Sequence, residues 1–432
     1  MSDSVNIGLL GLGIVGSGVA KAIMEKSHQF KNVSGKELLV KKVLIRDSEK
    51  QRMYKLQDGL LTTNPEDIID NPDIDIIVEV MGGLRPANEY IKRSILAGKH
   101  VITANKELIA NHGPELLSLA QKQKVHLMFE ASVAGGTPII APLLRDLAAN
   151  EILAIHGIIN GTTNYILSKM AEEETSFDEA LAEAQELGYA ESDPSSDVSG
   201  DDAAFKLAIL SSLAFHTAVR PEDVFREGIT RLAPQDFRYA KELGYQIKLL
   251  AIATRSGNTI QARVHPALVP TEVMIAKVEG VLNAIEIQTD LAGRVLFHGR
   301  GAGSEPTASA IIADMLDISK NLPETSSLSQ SINWKYLADL IPIDELETKY
   351  YIRLNVREEP GVFAQILKVL GEEQISIASA IQKAANFEAN TAEIVLMTHR
   401  AKEASIQQAL TKIEVLDVVD LIGNLVRVEE WN

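Results

Sequence analysis

The chain has 432 residues, a length that predicts two to four domains at about 100–200 residues per domain. Hydrophobic residues make up 46% of the chain and charged residues 23%, which is a globular composition and excludes a disordered, collagen-like or coiled-coil protein. The net charge of −17 argues against a nucleic-acid partner, and the lack of cysteine excludes disulfides, zinc–thiolate sites, iron–sulfur clusters and a cysteine nucleophile.

The first residues lead directly into a strand-like run, without the basic and apolar segments of a signal peptide. The longest apolar stretches have the length of strands and are too short to span a membrane. We therefore expect a cytoplasmic protein that does not contact a membrane.

Strand-like and helix-like segments alternate over residues 1–140, which predicts a Rossmann-type parallel sheet with helices on its faces. The predicted strands are Val5–Leu10, Val40–Ile45, Ile74–Val80, His100–Thr103 and Val125–Phe129, and the helices are Ile14–Met24, Pro86–Ala97 and Pro114–Gln121.

Residues 141–299 predict a second unit of α+β type that binds substrate. Helices are predicted at Pro138–Ala149, Tyr165–Glu172, Phe177–Leu187 and Asp202–Phe215, and strands at Ile152–Ile159, Gln246–Thr254, Thr259–Val269 and Ala284–Thr289. A helix at Thr307–Ile318 is expected to pack back onto the first unit, so that residues 300–320 complete it.

Residues 321–348 predict a linker, because their first part is rich in Ser, Asn, Pro and Glu. Residues 349–432 show the β-α-β-β-α-β order of a small ferredoxin-like unit. Its elements are predicted at Tyr350–Val356, Val362–Glu372, Ile375–Gln382, Ala392–Thr398, Lys402–Lys412 and Val415–Ile422.

The first predicted strand ends in a G-x-G-x-x-G loop, which is typical of dinucleotide binding. Gly11 permits a tight turn, Gly13 leaves room for a pyrophosphate, and Gly16 lets helix and strand pack closely. A tight turn without a ligand is the alternative, which the position after the first strand disfavours. At the end of the second strand, Arg46 suits the 2′-phosphate of NADP, whereas Asp47 keeps NAD possible.

Two lysines stand where they could transfer protons. Lys106 follows the carboxyl end of a predicted strand, the edge at which open α/β sheets bind ligands. Lys206 follows Asp202 by four residues on a predicted helix, so the two side chains share one face, and such a lysine can protonate a developing alkoxide. A solvated helix start with a surface ion pair is the alternative. The carboxylates upstream that suit a substrate amino group are Glu191, Asp193 and Asp197.

Several motifs, in this order, resemble those of the homoserine dehydrogenase family over residues 5–320. They are GLGIVG at Gly11–Gly16, TANK at Thr103–Lys106, EASVAGGTPII at Glu130–Ile140, GIINGTTNYIL at Gly157–Leu167, GYAESDPSSDVSGDDAAFKLAIL at Gly188–Leu210 and GRGAGSEPTASA at Gly299–Ala310. The C-terminal unit resembles an ACT domain, with Glu359–Phe363 at its first strand–helix turn.

The resemblance implies the reversible NAD(P)H-dependent reduction of L-aspartate 4-semialdehyde to L-homoserine, a step of threonine and methionine biosynthesis. It implies that Lys206 is the proton donor, with Asp202 beside the reacting oxygen, and that Lys106 lies where nicotinamide and substrate meet. Glu191 would hold the substrate amino group and Asp197 would help to build the pocket. The residues implied at the cofactor are Gly11, Gly13, Ile14, Val15, Gly16, Arg46, Thr103, Lys106 and Gly303.

The resemblance also implies a monovalent cation, usually sodium, which hard oxygen ligands would suit. The implied ligands are the carboxylate of Glu130 and mainly backbone carbonyls of Val133, Gly135 and Thr137.

ACT domains commonly pair and bind amino acids, so the resemblance implies L-threonine as an effector and a homodimer or homotetramer. Glu358 stands where these domains usually have Asp, which leaves the response to threonine open. Two other functions also stay open, namely a different NAD(P)-dependent amino-acid dehydrogenase and a non-enzymatic nucleotide and amino-acid sensor.

Overall fold

The structure is a computed structural model that describes residues 3–50, 54–57, 59–322, 332, 338–386 and 390–431. Its first part contains six strands and four helices, which are β1 (Ser4–Leu10), α1 (Ile14–Ser34), β2 (Glu37–Leu44), β3 (Leu61–Thr62), α2 (Glu66–Ile69), β4 (Ile76–Glu79), α3 (Ala87–Leu96), β5 (His100–Thr103), α4 (Lys106–Gln123) and β6 (Leu127–Met128). The strands form one parallel sheet in the order β3-β2-β1-β4-β5-β6, the order found in dinucleotide-binding sheets. The predicted parallel sheet is confirmed.

Strands β4 and β5 are buried along their whole length, because helices cover both faces of the sheet. Helix α1 begins directly after the glycine loop and runs well past its predicted end at Met24. It ends at Gly35, whose φ of +76° is the left-handed conformation of a helix C-cap.

The middle part carries twelve elements. They are β7 (Ile152–Ile158), α5 (Gly161–Glu173), α6 (Phe177–Glu186), α7 (Ser195–Val198), α8 (Asp201–Phe215), β8 (Phe225–Arg226), α9 (Pro234–Glu242), β9 (Tyr245–Ser256), β10 (Thr259–Pro270), β11 (Leu282–Thr289), β12 (Arg294–Arg300) and α10 (Ser304–Asn321). Helix α10 returns to the first sheet, where Ile311 and Met315 share a buried apolar cluster with Val19 and Ile23 of α1.

Several features of the middle part differ from the prediction, and helix α9 and the short elements α7 and β8 are among those that were not predicted. The helix predicted at Pro138–Ala149 is shorter than expected, since its helical residues are 140–146 and Pro142–Asp146 form a π-helical turn. Strand β12 was not predicted, because it is a half-exposed edge strand whose Val295–Phe297 run does not alternate with polar residues.

The C-terminal part confirms the predicted β-α-β-β-α-β order. Its elements are β13 (Asp339–Leu340), β14 (Glu347–Arg357), α11 (Val362–Glu372), β15 (Ile377–Asn386), β16 (Thr391–Thr398), β17 (Ala401–Lys402), α12 (Glu403–Glu414) and β18 (Val419–Val428). The last strand begins later than the predicted Val415, because a turn follows α12. Residues 323–331 and 333–337 of the predicted linker lie outside the described residues.

The middle and C-terminal parts share one sheet. Strand β10 pairs with β9 along its length and, on its other side, in parallel with β18 through Ala267 and Leu268. The strand order is therefore β12-β11-β7-β9-β10-β18-β14-β16-β15, with β8, β13 and β17 attached beside it.

A buried carboxylate also joins these two parts. Asp236 of α9 accepts hydrogen bonds from Nε of Arg353 at 2.6 Å, from the hydroxyl of Tyr351 at 3.1 Å and from Nδ2 of Asn424 at 2.9 Å. All four side chains are buried, and Arg353 also pairs with Glu393 at 3.2 Å, so two carboxylates compensate its charge.

Among the described residues, no helix is both long and apolar enough to cross a bilayer.

Candidate active site at the start of helix α8

Helix α8 is apolar on almost every side and is buried, so its charged residues are confined to its N-terminal end. Nζ of Lys206 donates to Oδ2 of Asp202 at 2.7 Å and to the backbone carbonyl of Ile159 at 2.8 Å. Lys106, the first residue of α4, reaches the same carboxylate from the first sheet, with Nζ 3.0 Å from Oδ1. The structure thus brings together two lysines that are 100 residues apart in the sequence.

The three side chains differ in exposure. Asp202 and Lys206 are 8% and 12% exposed, whereas Lys106 is 40% exposed. The amine of Lys206 therefore does not lie on the outer surface, and the open side of the cluster is the side of Lys106.

Asp202 is held between two positive charges. Burial by itself would raise the pKa of the Asp202 carboxyl, but Lys206 and Lys106 outweigh that effect and hold this pKa well below its usual range. The carboxylate of Asp202 in turn raises the pKa of the Lys106 ammonium, although burial acts in the opposite direction. Asp202 is therefore ionised and Lys106 protonated at neutral pH.

Asn160 joins two carboxylates of the cluster. Its Nδ2 donates to Oδ1 of Asp197 at 2.7 Å and to Oδ2 of Asp202 at 2.8 Å. Its Oδ1 caps helix α5 by accepting from the N–H of Thr163 at 2.8 Å. An Asn between a strand and a helix signals a cap in the sequence, but nothing local shows that its amide also orients Asp197 and Asp202.

Glu191 lies apart from this group. It is exposed in the segment after α6, and within the described residues its carboxylate makes no hydrogen bond to Asp202 or Lys206. A role for Glu191 thus depends on a bound substrate.

The glycine loop has the geometry that dinucleotide binding requires. Gly11 has φ of +109°, and a Cβ on Gly16 would lie 2.3 Å from the carbonyl oxygen of Gly11, so neither position suits a larger residue. A Cβ on Gly13 would meet no atom within 4 Å, which leaves that side of the loop open to a ligand. Helix α1 begins beside it without a capping side chain or an acidic residue in its first turn, a suitable end for phosphate.

A cavity of about 800 Å³ opens against this loop, where the strand order reverses. It is lined by the ends of three strands, through Gly11–Ile14, Leu44–Asp47 and Val80–Gly82. Arg46 and Asp47 both line it, so a group that suits the 2′-phosphate of NADP and a group that suits the ribose hydroxyl of NAD are both present. The residues present therefore fit a dinucleotide.

Of the remaining cofactor residues of the prediction, Ile14 lines the cavity, whereas Val15, Thr103, Lys106 and Gly303 are not among the lining residues. Ile14 is exposed at the cavity, whereas Val15 is half-buried behind it. Gly303 precedes α10 with φ of +120°, and the hydroxyl of Ser304 donates to the carbonyl of Ile14 at 2.9 Å. Thr103 is fully buried at the end of β5.

The predicted cation ligands lie beside α10. The carboxylate of Glu130 accepts the N–H groups of Ile139, Ile140 and Ala141 at 2.7–3.0 Å, so it caps the start of the next segment. Within the part of the chain that the structure describes, the backbone carbonyls of Val133, Gly135 and Thr137 accept no hydrogen bond. No group of three or more His, Asp or Glu side chains is arranged as a metal site in that part, so a cation would depend on these carbonyls.

Comparisons with known proteins decide the family. Family models match residues 11–130 (Homoserine dehydrogenase, NAD binding domain), 138–316 (Homoserine dehydrogenase) and 350–418 (ACT domain). The chain is 41% identical to a homoserine dehydrogenase of Neisseria gonorrhoeae, covering 98% of both chains, and 42% identical to that of Helicobacter pylori, covering 99% of this chain and 100% of the relative. The chain belongs to the homoserine dehydrogenase family.

Solved structures agree with this assignment. The homoserine dehydrogenase of Thiobacillus denitrificans matches with a TM-score of 0.92 and 43% identity, over 99% of this chain and 98% of that chain. A hyperthermophilic archaeal homoserine dehydrogenase in complex with NADPH matches with a TM-score of 0.64 and 30% identity, over 75% of this chain and 100% of that chain. The chain is thus an NAD(P)-dependent oxidoreductase that interconverts L-aspartate 4-semialdehyde and L-homoserine, and the other dehydrogenase and the sensor are not favoured.

Gly13→Ala should lower the affinity for the dinucleotide without lowering the stability of the protein. Because the new methyl group meets no protein atom, the melting temperature without ligand should stay unchanged, whereas NADPH affinity should fall on the order of tenfold. Gly371→Ala in helix α11 is the matched control, since its methyl group also meets no atom and lies in the C-terminal part. Thermal unfolding and fluorescence titration with NADPH provide the two readouts, and unchanged affinity in Gly13→Ala would contradict the placement of the pyrophosphate.

Proposed function

We propose that Lys206 is the general acid of the homoserine dehydrogenase reaction, that Asp202 holds it in place and that Lys106 adds positive charge beside the reacting oxygen. The observation that carries the proposal is the buried carboxylate of Asp202, which accepts Lys206 at 2.7 Å and Lys106 at 3.0 Å. Two amines on one carboxylate concentrate positive charge at the junction between the first sheet and helix α8. An aldehyde oxygen that becomes an alkoxide needs such charge nearby.

A bound nicotinamide would supply the hydride for the reduction and would accept it in the oxidation. The carbonyl oxygen takes up negative charge as the hydride arrives, and the ammonium of Lys206 gives it a proton, so that the product is the primary alcohol. In the oxidation the alcohol returns that proton to the amine of Lys206 as the hydride leaves. Lys106 stays charged beside Asp202 throughout and stabilises the oxygen electrostatically.

Substrate orientation is the proposed task of two further carboxylates. Asp197 is fixed by Asn160 at 2.7 Å and helps to form the pocket wall. Glu191 is exposed and lies on the same segment, so its carboxylate is available to the amino group of homoserine. Binding this ammonium group at one end of the substrate places the reacting carbon at the other end.

Lys206→Ala should lower kcat on the order of 100-fold or more, because the alkoxide loses its proton source. The dissociation constant for NADPH should stay unchanged, since Lys206 is not among the residues that line the cavity. Lys412→Ala is the control, because Lys412 pairs with Glu373 on the C-terminal part and should keep full activity. Steady-state oxidation of homoserine is the measurement, and full turnover of Lys206→Ala would remove the assigned role.

The preferred cofactor is proposed to be NADP, with NAD as a second substrate. Arg46 lines the cavity at the end of β2, and Lys50 lines it as well, so two cations can face a 2′-phosphate. Asp47 at the same end keeps the ribose hydroxyls of NAD acceptable.

Arg46→Ala should weaken NADP more than NAD. The expected effect is a rise in KM for NADP of about 10-fold, with KM for NAD changed by about twofold or less, because a charge-assisted bond is lost only with the phosphate. Parallel titrations of both cofactors with homoserine in excess provide the comparison. Equal effects on the two cofactors would show that Arg46 does not contact the phosphate.

A sodium ion is proposed at Glu130 and the carbonyls of Val133, Gly135 and Thr137. The support is chemical, because these carbonyls accept no hydrogen bond among the described residues and the hydroxyl of Thr137 is also buried without a partner. An ion here would brace the segment beside α10 and would not take part in proton transfer.

L-threonine is proposed as the effector of the ACT domain, and a homodimer or homotetramer as the assembly. Glu358 reaches across the first turn and accepts from Nε2 of Gln382 at 2.5 Å, so the longer side chain is accommodated by the neighbouring strand β15. The cytoplasmic location stays a prediction.

The wild-type enzyme tests these proposals with an activity assay and a measurement of mass. NADP reduction should require homoserine, should be faster with NADP than with NAD, and should fall severalfold when choline replaces sodium. Threonine should lower the rate, and light scattering should give the mass of two or four chains. Reduction of NADP by another amino alcohol but not by homoserine would contradict the function itself, whereas insensitivity to sodium or threonine would contradict only that proposal.

A further inference from the structure

Glu79 is a buried carboxylate that the proposed mechanism does not use. It ends strand β4 in the middle of the first sheet, between Leu10 of β1 and Thr103 of β5, and it is fully buried. Its hydrogen-bond partners within the described residues are backbone N–H groups and a hydroxyl, and none of them is a cation. A carboxylate in such a place is costly to bury, so its contacts indicate why an acid stands there.

The carboxylate ties together the loops that follow two neighbouring strands. Its Oε1 accepts from the N–H of Met81 at 2.7 Å and from that of Gly82 at 3.2 Å, and both residues line the dinucleotide cavity. Its Oε2 accepts from the hydroxyl of Thr103 at 2.6 Å. The loop after β4 and the loop after β5 are therefore held by one side chain.

The chain of hydrogen bonds continues to Lys106. The hydroxyl oxygen of Thr103 accepts from the N–H of Asn105 at 3.0 Å. Nδ2 of Asn105 donates to the carbonyl of Gly83 at 2.6 Å, and its Oδ1 caps helix α4 by accepting from the N–H of Leu108 at 3.0 Å. Lys106 is the first residue of the helix capped in this way.

We propose that Glu79 is a positioning residue that fixes the start of helix α4, so that Lys106 meets Asp202. The inference rests on the proposed role of Lys106. A lysine side chain has several rotatable bonds, and its ammonium stays 3.0 Å from Asp202 only if its backbone is held in place. A displacement of about 1 Å at this point is enough to reduce turnover markedly.

An acid is required at residue 79, because every group that faces it is a donor. Thr103 gives its only hydroxyl proton to Glu79 and uses its oxygen to accept from Asn105. A glutamine could keep its oxygen towards Met81 and Gly82, but its NH₂ group would then face Thr103, whose proton would lose its acceptor. In the reversed orientation the NH₂ group would face the two backbone N–H groups, which are donors and cannot accept its hydrogen bonds.

The test is a double-mutant cycle of Glu79→Gln and Lys106→Ala. Glu79→Gln alone should lower kcat for homoserine oxidation on the order of tenfold, with the KM for homoserine changed by about twofold or less. In the Lys106→Ala background the same substitution should lower kcat no further, because the residue through which Glu79 acts is gone.

Asp75→Asn is the matched control. Asp75 precedes the same strand at its opposite end, and its Oδ2 accepts from the N–H of Asn6 at 2.8 Å. The Asp75→Asn variant should lower the stability of the same sheet without changing kcat.

Thr103→Val provides a second test, since it removes only the link between Glu79 and Asn105. Its effect on kcat should show the same dependence on Lys106. The affinity for NADPH, measured by fluorescence, should change by at most a few-fold in Glu79→Gln and in Thr103→Val.

The outcomes separate the inference from the proposed function. Equal losses of kcat in the wild-type and Lys106→Ala backgrounds, or no loss at all, would overturn the role of Glu79 while the enzyme remains a homoserine dehydrogenase. Full turnover of Lys106→Ala alone would overturn the proposed role of Lys106. A wild-type enzyme that does not oxidise homoserine would contradict the function itself.

Discussion

The arrangement of the whole site depends on the buried carboxylate of Asp202. A buried charge is stable only when partners compensate it, and here the partners are Lys206 on the same helix and Lys106 at the start of helix α4. The two amines can meet Asp202 only if the middle part packs against the carboxyl edge of the parallel sheet. The electrostatic requirement of one residue thus constrains how the two parts are joined.

The first sheet supports this junction from two directions. Helix α10 leaves the middle part, packs against α1 and starts beside the glycine loop, where the hydroxyl of Ser304 bonds to Ile14. On the other side, Glu79 connects the loops after β4 and β5, and through them the start of α4. The dinucleotide cavity and the lysine cluster are therefore built on the same strand ends.

The C-terminal part is joined to the middle part by a shared sheet and by ion pairs as well as by the connecting segment. Strand β18 extends the sheet of β10, and the guanidinium of Arg427 on that strand is 2.8 Å from Glu227. The neighbouring Arg226 pairs with Asp201 at 2.6 Å, immediately before Asp202. A short series of ion pairs thus connects the C-terminal part to the start of helix α8.

Local patterns in the amino-acid sequence were enough for the parallel sheet, the glycine loop and the order of the C-terminal elements, because each depends on neighbours a few residues apart. The spacing of four between Asp202 and Lys206 likewise predicted that they share a helix face. By contrast, only the folded chain brought Lys106 to Asp202, made Asn160 a bridge between two carboxylates, joined β10 to β18 and linked Glu79 to Thr103. These contacts join residues between 24 and about 160 positions apart, and no short-range pattern encodes them, since they form only when strand ends from different parts of the chain meet.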